Sequence, residues 1–109
     1  MGKLYKLDAD HNPVCVSEDI NDINAWVKWH SDMRNRLVAE TMIDDDGNFV
    51  STVFFGHTSS DATVPYMFQT LVFGGPLNGE MWRYRTWAEA EAGHAAAVKR
   101  CKAAKDQAK

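Results

Sequence analysis

The sequence predicts an α+β fold, a mostly antiparallel sheet with two helices packed on one face, in a single domain. Three observations predict it. Residues 36–85 alternate apolar and polar side chains with a period of two, two other stretches carry helical periodicity, and 109 residues leave room for one core.

The elements follow in order. Residues 3–16 read as a hairpin: Leu4, Tyr5 and Leu7, the turn Asp8-Ala9-Asp10-His11-Asn12-Pro13, then Val14-Cys15-Val16. Pro13 has no N–H and therefore belongs at a strand start or an edge. Ser17 is the expected N-cap of a helix over 18–32, with Glu18 and Asp19 favouring the dipole in its first turn. Ile20, Ile23, Trp26, Val27 and His30 form its expected buried stripe, and Trp29 falls beside that stripe. From residue 36 the period changes. Leu37, Ala39, Thr41 and Ile43 alternate with Val38, Glu40 and Met42, then Asp44-Asp45-Asp46-Gly47-Asn48 turns the chain into Phe49–Phe55. A polar loop over 56–65 leads to a strand over 66–73, closed by Gly74-Gly75-Pro76. In Met81-Trp82-Arg83-Tyr84-Arg85 the aromatics share one face and the arginines the other. Thr86 and Glu89 make a capping box for a helix over 87–105, whose inner stripe is Trp87, Ala90, His94, Ala97, Val98 and Cys101. Residues 103–109 are expected to fray.

Both faces of the central strands are apolar, Val50 and Phe54 on one side, Val53 and Phe55 on the other. Two helices cover one face. A homodimer, or the N-terminal hairpin, is the expected cover for the second.

Composition narrows the function. Hydrophobic content of 45% and charged content of 25% are those of an ordinary globular chain, and no apolar run approaches the roughly 18 residues that span a bilayer. The opening Met1-Gly2-Lys3-Leu4-Tyr5-Lys6 has neither the apolar stretch of a secretory leader nor the Ser or Thr of a myristoylation signal. Cys15 and Cys101 form no CxxC pair and read as two reduced thiols, so the expected location is cytoplasmic, with no membrane contact. Residues 98–109 hold five basic side chains against one acidic, a local +4, while the other 97 residues sum to −7. A basic C-terminal helix offers nucleic acid as a partner. Cations in the last turns also complement the helix dipole and need no partner, which is the preferred reading.

Chemical constellations are thin. Asp8, Asp10 and Asn12 match the first ligands of an EF-hand, but Pro13 stands where that loop needs Gly, and Asp44–Gly47 lacks the distal Glu. Both read as turns. His11, His30, His57 and His94 have no HxH or HxxxH spacing, so no metal and no cofactor are expected. His57 and Asp61 share one loop and are the pair from which a metal-assisted hydrolase could be built, with His94 as its third member. No GxSxG elbow or phosphate loop is present. Catalytic residues are therefore not assigned, and the expectation is a binding protein rather than an enzyme. Candidate binding residues are Arg83 and Arg85, interleaved with aromatics, together with Trp29, His57 and Asp61.

Three segments carry a resemblance: Val50-Ser51-Thr52-Val53-Phe54-Phe55-Gly56, Phe68-Gln69-Thr70-Leu71-Val72-Phe73-Gly74-Gly75 and Arg83-Tyr84-Arg85-Thr86-Trp87-Ala88-Glu89-Ala90-Glu91-Ala92-Gly93-His94. Across residues 36–98 the chain resembles a family of small bacteriophage and prophage proteins of unknown function, with the pattern VSTVFLG, FETMVFGG and RYxTWxEAxxGH. The family often has Leu-Asp-His after the strand glycine. Here His57-Thr58-Ser59 stands instead, so a site built on that Asp and His does not carry over. The resemblance implies a phage-encoded accessory protein in the host cytoplasm that binds a host or phage macromolecule, with counter-defence as one purpose. A protein partner leads that expectation, and a minor virion component is the structural alternative.

Overall fold

The strongest local signal in the chain builds the centre of the sheet. In the computed structural model, which describes residues 3–56 and 66–107, β3 (Leu37–Met42) and β4 (Phe49–Phe54) fold back antiparallel around the triple-aspartate turn. Asp44 Oδ1 accepts from the backbone N–H of Asp46 at 2.9 Å, and Gly47 adopts φ +83°, which strains any residue with a Cβ. The N–H of Asp46 is the main reason the Asp44 carboxyl is held below its ordinary pKa. β5 (Phe68–Phe73) pairs with β4 and β6 (Met81–Tyr84) with β5, giving an antiparallel meander in the order β3-β4-β5-β6.

Alternation holds along β4 and β5, where Val50, Thr52, Phe54, Phe68, Thr70 and Val72 are buried on one face. It fails once in β3. The register shifts between Leu37 and Ala39, and this bulge turns Val38 toward the Phe54 side, where it packs.

α2 (Trp87–Gln107) lies across all four strands. Ala90, His94, Ala97 and Cys101 are buried beneath it as the stripe predicts, and three of these are small, which lets the helix approach the sheet closely. The capping box forms in both directions: Glu89 N–H donates to Thr86 Oγ1 at 3.1 Å, and Glu89 Oε1 accepts from Thr86 N–H at 3.2 Å. Of the segment expected to fray, residues 103–107 are helical, and residues 108 and 109 lie outside the described residues. The helix continues to Gln107, and Lys105 Nζ lies 3.6 Å from the Asp44 carboxylate, tying its last turns to the β3–β4 turn.

A separate two-stranded sheet, β1 (Tyr5–Leu7) and β2 (Pro13–Cys15), is the predicted N-terminal hairpin, with Pro13 at a strand start. Its turn is closed by Asp8 Oδ1, which accepts from Asp10 and Asn12 N–H at 2.9 Å each. Tyr5 and Leu7 pack on the Phe54–Phe68 cluster, on the same side of the main sheet as α2. The hairpin therefore does not cover the second sheet face.

α1 (Ile20–Ser31) corrects two expectations. Asp19, not Ser17, is its N-cap, accepting from Asn21 N–H at 2.9 Å, while Ser17 Oγ donates to Asp22 at 2.5 Å. The stripe from Ile20 to His30 is only partly inward: Ile23, Trp26 and His30 are half-buried, but Ile20 is 65% and Val27 48% exposed. The reason is position. α2 occupies the sheet face, so α1 stands at its end beside β1, anchored by Trp29 edge-on to Phe54 and by Trp26 Nε1–H donating to Tyr5 O at 2.7 Å. Among the described residues no helix is long and apolar enough to cross a membrane.

Candidate functional site

β6 is an edge strand, and its alternation sends Trp82 and Tyr84 toward α2 and Met81 and Arg83 to the opposite face. Arg83 lies 5.9 Å over the Phe55 ring, with Nε–H reaching Gln69 Oε1 at 3.4 Å. Arg85 follows the strand. Its guanidinium lies 4.7 Å over Tyr66 and donates to the Tyr66 hydroxyl at 2.9 Å. Tyr66, Arg83, Tyr84, Arg85 and Glu89 line a cleft of about 150 Å³. Both guanidiniums are oriented by aromatic rings, and neither forms an ion pair among the described residues. Stacking fixes the plane of an arginine and leaves its N–H edge for a carboxylate or phosphate.

Beside that margin lies the second sheet face. Met42, Phe49, Leu71, Phe73 and Met81 point to it, with Glu40 on β3 at one border and Arg83 on β6 at the other. Phe49 and Phe73 stack at 4.6 Å. Met42 is 58%, Met81 47% and Phe73 38% exposed, and no element of the described residues packs over them. Met42, Phe73 and Met81 thus leave apolar surface exposed on the side of the sheet away from α2.

Trp29 is elsewhere. It is half-buried on α1 and joins Trp26, Val14, Cys15, Val16 and Ala25 in lining an open groove of about 540 Å³ between α1 and the hairpin. Cys15 is exposed and free there; Cys101 is free and buried, and burial pushes its thiol pKa up. His57 and Asp61 lie outside the described residues. The structure thus brings Arg83 and Arg85 together and sets Trp29 apart. Sequence reasoning missed Tyr66, Phe55 and Gln69, which orient the arginines. Their only signal is aromatic or amide character at strand ends, and the contacts span 14 or more residues.

The three described histidines all have structural partners. His11 stacks on Trp87 at 4.0 Å, and His30 Nε2 lies 2.5 Å from Phe55 O while its ring stacks on Trp26. His94 sits under α2 with Nδ1 2.8 Å from Thr52 Oγ1 and Nε2 2.8 Å from Thr41 Oγ1, and Thr52 in turn meets Thr70 at 2.5 Å. Both ring nitrogens of His94 are thus hydrogen-bonded to threonine hydroxyls within the fold. No group of three or more His, Cys, Asp or Glu among the described residues could hold a metal ion.

Burial lowers the His94 pKa below its ordinary value near 6.5. The folded chain then binds fewer protons than the unfolded chain between the lowered value and 6.5. Stability is expected to be full above about pH 7, to fall as pH drops through the unfolded pKa, and to level off below the folded one. Urea unfolding from about pH 8 to 5 checks this against His94→Gln, in which that part of the slope should vanish. Equal slopes would show that the ring is not desolvated.

Comparison with protein-family models, curated proteins and solved structures finds no match. The site is therefore read from its own geometry.

Proposed function

We propose that this chain is a phage-encoded accessory protein of the host cytoplasm that works by binding, as a homodimer, and holds an acidic protein of host or phage against Arg85 and Tyr66. One observation carries the reading: a guanidinium stacked on and hydrogen-bonded to an exposed tyrosine, at the border of an uncovered apolar face, with no acidic partner among the described residues. Interfaces that bind proteins pair apolar centres with arginine and tyrosine in this way. The phage origin and the cytoplasmic setting are supported by the sequence resemblance and the two free cysteines. Counter-defence is one purpose such binding would serve.

Nucleic acid is the less favoured partner. Of the basic C-terminal residues, Lys105 is paired with Asp44, and Arg100 lies 5.0 Å over the Trp82 ring, so part of that charge is already engaged within the fold.

The reading is tested by affinity capture from bacterial lysate, with and without nuclease. A protein retained by the wild type after nuclease and lost with Arg85→Glu supports it. Capture that is indifferent to Arg85→Glu, or that disappears with nuclease, overturns it.

A further inference from the structure

We infer that the apolar sheet face, over which no element of the described residues packs, is covered by a second copy of this chain, packed face to face about a two-fold axis parallel to the strands. The inference rests on the homodimer named above and specifies its surface and symmetry.

Register defines the face. Three rows cross it: Met42, Phe49 and Phe73; then Glu40, Ser51, Leu71 and Met81; then Leu37, Val53, Gln69 and Arg83. The central strands present Phe49, Val53, Leu71 and Phe73 with Ser51 and Gln69 among them, so the centre is mostly apolar and uncharged. The one acid lies on edge strand β3 and the one base on edge strand β6. That distribution is self-complementary under one operation. A two-fold along the strands, between β4 and β5, sets β3 of one copy over β6 of the other. Glu40 then lies across from the partner's Arg83, displaced by one row, roughly 7 Å, which an arginine side chain spans. Symmetry repeats the pair on the other border. A two-fold perpendicular to the strands would instead stack each edge strand on its own copy, gathering both acids at one border and both bases at the other. The charges therefore select the aligned packing that two twisted sheets adopt. The same operation places Phe49 over the partner's Phe73, two aromatic contacts at one end of the face.

The area fits a weak, reversible dimer. Strands about 4.8 Å apart and some six residues long at ~3.4 Å give a face of roughly 400 Å² in projection. Two such faces bring together about 800 Å², the size of a transient rather than a permanent interface. A face this size supports a dimer only if both central strands take part. Charge complementarity at its borders then matters for the choice of partner.

Sedimentation equilibrium of the full chain over about 5–100 µM tests this. The wild type should be a dimer. Leu71→Glu, at the centre of the face and away from the core beneath α2, should be a monomer with an unchanged circular dichroism spectrum. Glu40→Arg and Arg83→Glu should each weaken the dimer by about tenfold or more, and their combination should restore it to within about threefold. A monomeric wild type would overturn both the homodimer and this face, and leave the face to another partner. A dimer that survives Leu71→Glu with a native spectrum would overturn this face alone. Failure of the double exchange to restore what either single change loses would overturn the two-fold axis.

Discussion

Replacing Trp87 by alanine should cost about 3 kcal/mol of stability, at the lower end of the ~3–5 expected for a core aromatic because the ring is only half-buried. Trp87 opens α2 and holds two parts of the fold together. One face stacks on His11 of the hairpin turn at 4.0 Å and 12°, and Phe68 meets the ring edge-on at 6.2 Å. Its loss therefore removes the contact that joins the hairpin to α2 as well as apolar burial. The hairpin should open before the sheet does. Urea unfolding gives the total. Hydrogen exchange should show the amides of residues 5–16 losing more protection than those of β4 and β5. A loss below about 1 kcal/mol, or uniform loss of protection, would mean that the stack contributes little.

What could be read from the sequence was what local chemistry decides. The Thr86–Glu89 cap lies within one turn, the Asp44–Asn48 turn closes on itself, and β4 and β5 show their alternation because one face is sealed by α2. α1 was misread for a physical reason. Periodicity shows that a helix has an apolar stripe, but not whether any surface remains for it to cover. Here α2 already lies across all four strands, so Ile20 and Val27 stay exposed and Trp29, outside the expected stripe, makes the contact with Phe54. The bulge that turns Val38 inward carries no glycine or proline to announce it. Arg83 was placed correctly on the outer side of β6 by alternation alone, while Arg85 lies just beyond the end of that strand. That Tyr66 would orient Arg85 was not visible, because their meeting depends on how β5 and β6 are paired, 19 residues apart along the chain. The apolar second face was legible in Val53 and Phe55. That the hairpin leaves it bare could be known only from where Tyr5 and Leu7 pack.

Gly93 provides the second large effect, and its sign should depend on one neighbour. In the interior of a helix, glycine to alanine ordinarily stabilises by about 1 kcal/mol, since alanine loses less backbone entropy. At Gly93 a Cβ would fall inside the Tyr84 ring, against its Cε1, Cζ and hydroxyl oxygen. Tyr84 is half-buried on β6 and packs on the Phe54–Phe68 cluster, so its ring can yield only by leaving that cluster or by lifting α2 off the sheet. Overpacking of this kind costs about 1–3 kcal/mol, which outweighs the helical gain. Gly93→Ala should therefore destabilise the wild type. In a Tyr84→Ala background, where the ring is gone, the same change should stabilise by up to about 1 kcal/mol. A four-point unfolding cycle would then give a coupling equal to the overpacking cost, about 1–3 kcal/mol, between residues 84 and 93. Destabilisation that persists undiminished without the tyrosine ring would place the cause in the helix itself, and the close approach of α2 to β6 would no longer explain the glycine.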